Sequence, residues 1–146
     1  MKIAIGNDHA ALEVRSLVTR VLRDLGHEAV DFGTSEAHSV DYPDFALPVA
    51  LAVRRGDADL GILVCGTGIG ISIAANKVGG IRAALCHSEV TARMARRHND
   101  AQILCLGARV LDEKTMETCI RTFLSTAFEG GRHARRVAKM MAIEGT

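Results

Sequence analysis

The apolar run Leu60 to Val64 passes without a break into Cys65-Gly66-Thr67-Gly68-Ile69-Gly70-Ile71-Ser72, and this junction constrains the fold more than any other stretch. The run reads as a buried strand, and Ile69 to Lys77 reads as the opening of a helix. Three glycines in five residues let the connecting backbone come close to a ligand, because no Cβ blocks the approach and positive φ is accessible. A side chain placed there faces the unpaired amides and positive dipole end of the helix, which favour negative charge. Cys65 and Thr67 are therefore candidates to meet a bound anion.

The same alternation runs along the chain. Lys2 to Gly6 reads as a strand, and Ala10 to Leu25 as a helix that carries Leu12, Leu17, Val18, Val21, Leu22 and Leu25 and is stopped by Gly26. Glu28 to Phe32 is a second strand, and Gly33 to Asp41 a polar loop. Tyr42-Pro43 opens a helix to about Arg55, with Asp41 or Tyr42 at its cap. Strands follow at Asp59 to Cys65, Ile81 to Cys86 and Gln102 to Leu106, with a helix over Ser88 to His98. Asp112 to Phe128 reads as a helix ended by Gly130-Gly131, and Arg132 to Ile143 as a separate terminal helix with Val137, Met140 and Met141 on one side. Five short strands separated by amphipathic helices imply an α/β fold with a five-stranded parallel sheet covered on both faces, because parallel connections need crossovers. Ligands of such sheets bind beyond the carboxyl ends of the strands. That expectation lines up Asn7-Asp8-His9, Cys65-Gly66-Thr67, His87 and Gly107 to Arg109 along one rim.

Composition sets the outer limits. A chain of 146 residues suits a single domain, residues 1–146, with a sizeable core. Aromatic residues make up 3% and Trp is absent, which argues against base-stacking platforms for single-stranded nucleic acid. A formal net charge of +1 offers no global attraction to nucleic acid or to an anionic membrane. The longest uncharged run, Leu60 to Asn76, is broken by glycines and too short to span a bilayer. Four cysteines, at 65, 86, 105 and 119, form neither a CxxC pair nor a small secreted framework, so we expect a reduced, cytoplasmic protein.

Familiar motifs fail on the glycine loop. A dinucleotide fingerprint lacks its third glycine, since Ile71 or Ile73 stands there, and no Gly-Lys-Ser/Thr completes a Walker A loop. A cysteine-phosphatase loop would need an arginine where Ile71 stands. What remains is a cysteine at a strand end among free amides, an arrangement that activates a thiol and stabilises a developing oxyanion. Cys86, Cys105 and Cys119 lack such a loop and read as small core hydrophobes. Asp8-His9 ends the first strand, where the carboxylate either caps the next helix or works with the imidazole on protons. His98-Asn99 ends a helix, where the histidine can cap carbonyls and the asparagine can take left-handed geometry. Arg132 and Arg136 lie four residues apart on one helical face, and cations gathered at a helix start point to an anionic partner. No histidine pair has metal-ligand spacing, so no metal and no cofactor is expected.

Gly6-Asn7-Asp8-His9-Ala10, Asp41-Tyr42-Pro43, Cys65-Gly66-Thr67-Gly68-Ile69-Gly70-Ile71-Ser72, Ala74-Ala75-Asn76-Lys77, Gly80-Ile81-Arg82-Ala83, His98-Asn99, Gly107-Ala108-Arg109-Val110 and Glu129-Gly130-Gly131-Arg132-His133 closely resemble the type B ribose-5-phosphate isomerase family, nearly end to end. The resemblance implies a Rossmann-like three-layer α/β/α sandwich and a homodimer whose active sites are shared between subunits, in some members paired into a tetramer. It also implies that the C-terminal helix takes part in dimer contacts. The implied activity is interconversion of ribose 5-phosphate and ribulose 5-phosphate through an enediolate. Carried onto matching positions, it makes His98 the ring-opening acid/base with Asp8 assisting, and Cys65 the base that moves a proton between C2 and C1. The enediolate oxygen would be held by amides of Gly66, Gly68, Ile69 and Gly70 and by Thr67. His9, Arg109, Arg132 and Arg136 are implied phosphate ligands, His133 faces the phosphate or caps the turn, and Tyr42 and Asn99 are implied sugar contacts. Some members carry a glutamate further along the loop, and Gly70-Ile71-Ser72 has none, which favours Cys65 as base. Allose 6-phosphate, galactose 6-phosphate or a tetrulose phosphate are the rival substrates, and a non-catalytic sugar-phosphate-binding module is the rival class.

Overall fold

The computed structural model describes residues 1–146. Strand β1 (Lys2–Asn7) runs into a short 3-10 turn (His9–Ala11), then helix α1 (Val14–Asp24) and strand β2 (Glu28–Asp31). Helix α2 (Pro43–Arg55), strand β3 (Leu60–Cys65), helix α3 (Ile69–Asn76) and strand β4 (Ala83–Leu85) follow. The chain ends with helix α4 (Glu89–Arg97), strand β5 (Ile103–Gly107), helix α5 (Glu113–Ser125) and helix α6 (Arg132–Met141). All strand pairs are parallel, in the order β2-β1-β3-β5-β4, so the expected α/β sandwich with a five-stranded parallel sheet is what the chain builds.

Local chemistry explains the element ends. Along α1, Val14, Leu17, Val18, Val21 and Leu22 recur every three or four residues and are all buried, which seats the helix on the sheet. Gly26 (φ 77°) then closes it: its amide donates to the carbonyl of Arg23 at 3.0 Å, and that of His27 to Leu22 at 2.9 Å. Ser88 and Thr91 form a reciprocal capping box on α4. Asp112 caps α5, accepting from the amide of Thr115 at 2.8 Å.

One apolar cluster lies between the sheet and α1, α4 and α5, and another between the opposite sheet face and α2 and α3. Missing side chains let α2 sit close to the sheet. A Cβ on Gly6 would stand 3.0 Å from the carbonyl oxygen of Phe45 in α2, and one on Gly61 would stand 2.9 Å from Val49 Cγ1. No helix is long and apolar enough to cross a membrane.

Several sequence-based boundaries need correction. The first helix starts at Val14, not Ala10, because Asp8 accepts the amide of Ala10 at 3.0 Å and sets a 3-10 turn first. Strand β4 is only Ala83–Leu85, since the amide of Arg82 donates to the Gln102 side chain at 2.7 Å rather than to a neighbouring strand. Helix α5 ends at Ser125, before Gly130-Gly131. There the hydroxyls of Ser125 and Thr126 turn back onto the carbonyls of Arg121 (2.7 Å) and Thr122 (2.6 Å), and Thr126 is extended. The left-handed residue after α4 is Asp100 (φ 46°), not Asn99.

Candidate active site

The strand order reverses between β1 and β3: β1 connects outward to β2, while β3 leads the other way through α3. At such a switch point the loops diverge to opposite faces and leave a crevice at the carboxyl rim. The two loops are tied here, the amide of Asp8 donating to the carbonyl of Val64 at 3.3 Å. On the far side of β3, the amides of Ala108 and Arg109 donate to the carbonyls of Cys65 and Gly66, both at 2.9 Å.

Cys65 is 4% exposed and stands at the last position of β3, and the amide of Gly68 donates to its Sγ at 3.2 Å. Gly68 is left-handed (φ 79°), and a Cβ there would lie 2.8 Å from the carbonyl carbon of Leu106. A Cβ on Gly107 would lie 2.5 Å from the carbonyl oxygen of Thr67. The two turns thus lock backbone against backbone, and only glycine permits it. The amide of Ile69 is taken by the Thr67 hydroxyl at 3.2 Å. Of the amides expected to face an oxyanion, those of Gly68 and Ile69 therefore already have partners within the loop.

The Tyr42 ring lies against Gly70, where a Cβ would be 2.6 Å from Cζ. It borders an open cleft of about 530 Å³ that Asp8, His9 and Asp41 also line. Asp8, 6% exposed, caps the 3-10 turn through Oδ1 and also lines this cleft, so capping does not remove it from the site. His9 accepts the amide of Val40 at Nδ1, 3.1 Å away, which places the proton of the neutral ring on Nε2, a donor. Arg109 is exposed, without an ion-pair partner, and its Nη1 passes 3.5 Å from where a Gly66 Cβ would be.

The remaining candidates sit elsewhere. Helix α4 runs back against the strands, so His98 and Asn99 emerge at the amino edge of β5. Cys65, in contrast, pairs with Gly107 at its far end. Four strand steps separate Ile103 from Gly107, so the two groups lie roughly 13 Å or more apart in one chain. At the amino edge the His98 and His133 rings stack, centroids 4.0 Å apart and planes 8° from parallel. His133 is 5% exposed and its Nε2 has no hydrogen-bond partner. Burial, then the positive charges of His98 and Arg132, hold its pKa below the ordinary value. Arg132 and Arg136 are exposed in the first turns of α6 with no acidic partner. Glu129, quoted above in a motif but given no role there, approaches His98 Nε2 at 3.7 Å and His133 Nε2 at 4.0 Å. Its spacing of four from His133 was the signal that could have drawn it in.

These last three residues are also the one grouping close enough to consider for a metal, their ligand atoms lying within 4.8 Å of one another. Metal–imidazole bonds lie in the ring plane, and two stacked, nearly parallel rings point their lone pairs side by side rather than toward a common ion. As they stand, the three residues do not form a metal site.

The sequence pattern of the ribose/galactose isomerase family matches residues 3–140. The chain belongs to that family. Among ribose/galactose isomerases it is 44% identical to ribose-5-phosphate isomerase B of Escherichia coli, over 98% of this chain and 96% of that protein. It is 45% identical to the putative sugar phosphate isomerase YwlF of Bacillus subtilis, over 99% and 97%. Its structure superposes on ribose-5-phosphate isomerase B of Clostridium thermocellum with a TM-score of 0.96 at 53% identity, covering 99% of this chain and 97% of that one. With the type B enzyme of Trypanosoma brucei the TM-score is 0.95 at 51% identity, covering 98% of each. The Rossmann-like fold expected from the motifs is thus the fold of these solved isomerases.

Proposed function

We propose that this chain, acting as a single domain, is an aldose–ketose isomerase that interconverts ribose 5-phosphate and ribulose 5-phosphate. The observation that carries the reading is the β3–α3 junction, where a nearly buried thiol meets backbone amides at the switch point of the sheet. Isomerisation needs a base beside a carbon acid and donors for the enediolate, and this loop supplies both in one place.

In this mechanism a proton reaches the furanose ring oxygen while another leaves the C1 hydroxyl, and the C1–O4 bond breaks; His98 with Asp8 handles these protons. Cys65 then takes the proton from C2. The C2–H electrons form the C1–C2 double bond of an enediolate whose negative O1 meets Thr67 and the free amides beside it. The proton returns at C1 while the C2 hydroxyl proton passes to the negative O1, so the C2 carbonyl and C1 hydroxyl of the ketose form together. No electrons leave the substrate, so no redox cofactor is required, and the loop's hydroxyl and amides supply at the oxyanion the stabilisation a metal would otherwise give. His9, as an Nε2 donor, and Arg109, Arg132 and Arg136 bind the phosphate, with Tyr42 and Asn99 on the sugar.

One chain presents Cys65 and His98 at opposite ends of β5, which supports a homodimer in which α6 takes part in the contacts and His98, Asn99 and the α6 arginines of one copy complete the Cys65 site of the other. Pairing of dimers into a tetramer is compatible with this arrangement. Four free, buried thiols suit a reducing cytoplasm. The partner is a small anion, with neither nucleic acid nor membrane involved.

The test is turnover of ribose 5-phosphate by wild type and Cys65→Ala in EDTA, with allose 6-phosphate and erythrulose 4-phosphate in parallel. We expect ribose 5-phosphate to be preferred, EDTA to have no effect, and the variant to lose about 10²–10⁴-fold in kcat while still binding substrate. Preference for another sugar would keep the chemistry and change the substrate. An active Cys65→Ala would overturn the role of the loop, and substrate binding without any turnover by wild type would favour the non-catalytic module.

A further inference from the structure

Glu129 lies in the six-residue link between α5 and α6, and that link is fixed to the end of α4. Its amide donates to the carbonyl of Arg97 at 3.0 Å, and its Oε2 lies 3.3 Å from Arg97 Nη2. Held this way, the carboxylate faces the stacked imidazoles, Oε2 toward His98 and Oε1 toward His133. The charged groups around the pair are Arg97 on α4, Glu129 on the link, and Arg132 and Arg136 on α6. Glu129 is the one anion among them. His133 packs as a flat plate against His98 and is itself covered, so His98, the more exposed ring, is the one left to meet a substrate. The distance of 3.7 Å from His98 is an ion-pair distance, just beyond a hydrogen bond, of the kind that tightens when substrate closes a site.

We propose that Glu129 is the positioning residue for His98: its carboxylate orients the imidazole and stabilises the imidazolium that forms as the sugar ring opens. This rests on the reading of His98 as the ring-opening group. It separates two steps. Ring opening depends on Glu129, whereas proton transfer between C2 and C1, which belongs to Cys65, does not.

Substrate chemistry allows the steps to be measured apart. Ribose 5-phosphate closes a furanose ring through O4 and must be opened. In ribulose 5-phosphate the carbonyl is at C2 and O5 is esterified, so no five-membered ring can form and the sugar is already open. Exchange of its C1 hydrogen with deuterated water, followed by NMR, therefore reports enediolate formation without ring opening. For Glu129→Gln we expect kcat on ribose 5-phosphate to fall about tenfold or more, with KM changed less than about twofold, because a positioned acid/base contributes roughly 10²–10⁴-fold and loses part of that when misoriented. C1 exchange in ribulose 5-phosphate should stay within about twofold, and Glu129→Asp should recover part of the loss, since it restores the carboxylate. The acid limb of the aldose pH profile should also move in Glu129→Gln. Equal loss of both rates, or loss of neither, overturns the proposal; a melting temperature that falls with both rates would assign Glu129 a structural role. A wild type that processes neither sugar would instead sink the function reading, and this assignment with it.

Discussion

His133 is a polar ring kept neutral by its surroundings, and that has a measurable sign. Burial is the first cause of its lowered pKa, with His98, Arg132 and Arg136 adding like charge and Glu129 opposing them. The unfolded chain, with an ordinary histidine near 6.5, takes up the proton first as pH falls. The stability that His133 contributes is thus present above about pH 6.5 and is lost progressively below it. His27, whose pKa is lowered by burial and by the N-terminal ammonium, adds a term of the same sign. We expect the melting temperature to drop from pH 7 to pH 5 and to drop less in His133→Phe, which keeps the stack and removes the titrating group. An equal drop in both would place the acid sensitivity elsewhere. The glycine loop was readable from sequence as a tight strand-to-helix turn with Cys65 at its start, because an apolar run passing into closely spaced glycines has few other ways to fold. Glu129 was not, since its function lies in what it faces, and the turn after Ser125 that aims it leaves only a weak trace in the sequence.

At the scale of elements, the site depends on two turns whose backbones touch. Gly107 ends β5 directly against Thr67, where a Cβ would meet the carbonyl oxygen at 2.5 Å. Gly107→Ala therefore has to push the β3–α3 turn away, at an overpacking cost of about 1–3 kcal/mol. Urea unfolding should show that loss of stability, and kcat should fall as well because the displaced turn carries Thr67 and Cys65. Unchanged stability would mean the turns separate freely. The strands and helices themselves were legible from apolar runs of four to six residues and from stripes such as Val14, Leu17, Val18, Val21 and Leu22. Their ends were not, because side chains intervened: Asp8 inserted a 3-10 turn, Gln102 replaced a strand partner of Arg82, and Ser125 and Thr126 stopped α5 while the apolar pattern ran on through Ala127 and Phe128.

At the scale of the molecule, sequence motifs gathered Cys65 and His98 into one list, while the parallel sheet holds them at opposite edges. No local pattern could show this, since it follows from the direction in which α4 returns. If two copies share each site, a mixture of Cys65→Ala and His98→Ala chains should regain activity that neither has alone. Refolded together at equal amounts, half the dimers are mixed and each has one intact site, giving about a quarter of the wild-type rate. No recovery would mean that both residues serve the same chain. The separation along β5 carries one more consequence. If two copies share each site, a lone copy would be inert even with thiol and imidazole both in place, because each would face away from what it needs. Catalysis would then be a bimolecular property that fades on dilution by mass action, and a newly made chain would become an enzyme only on meeting another.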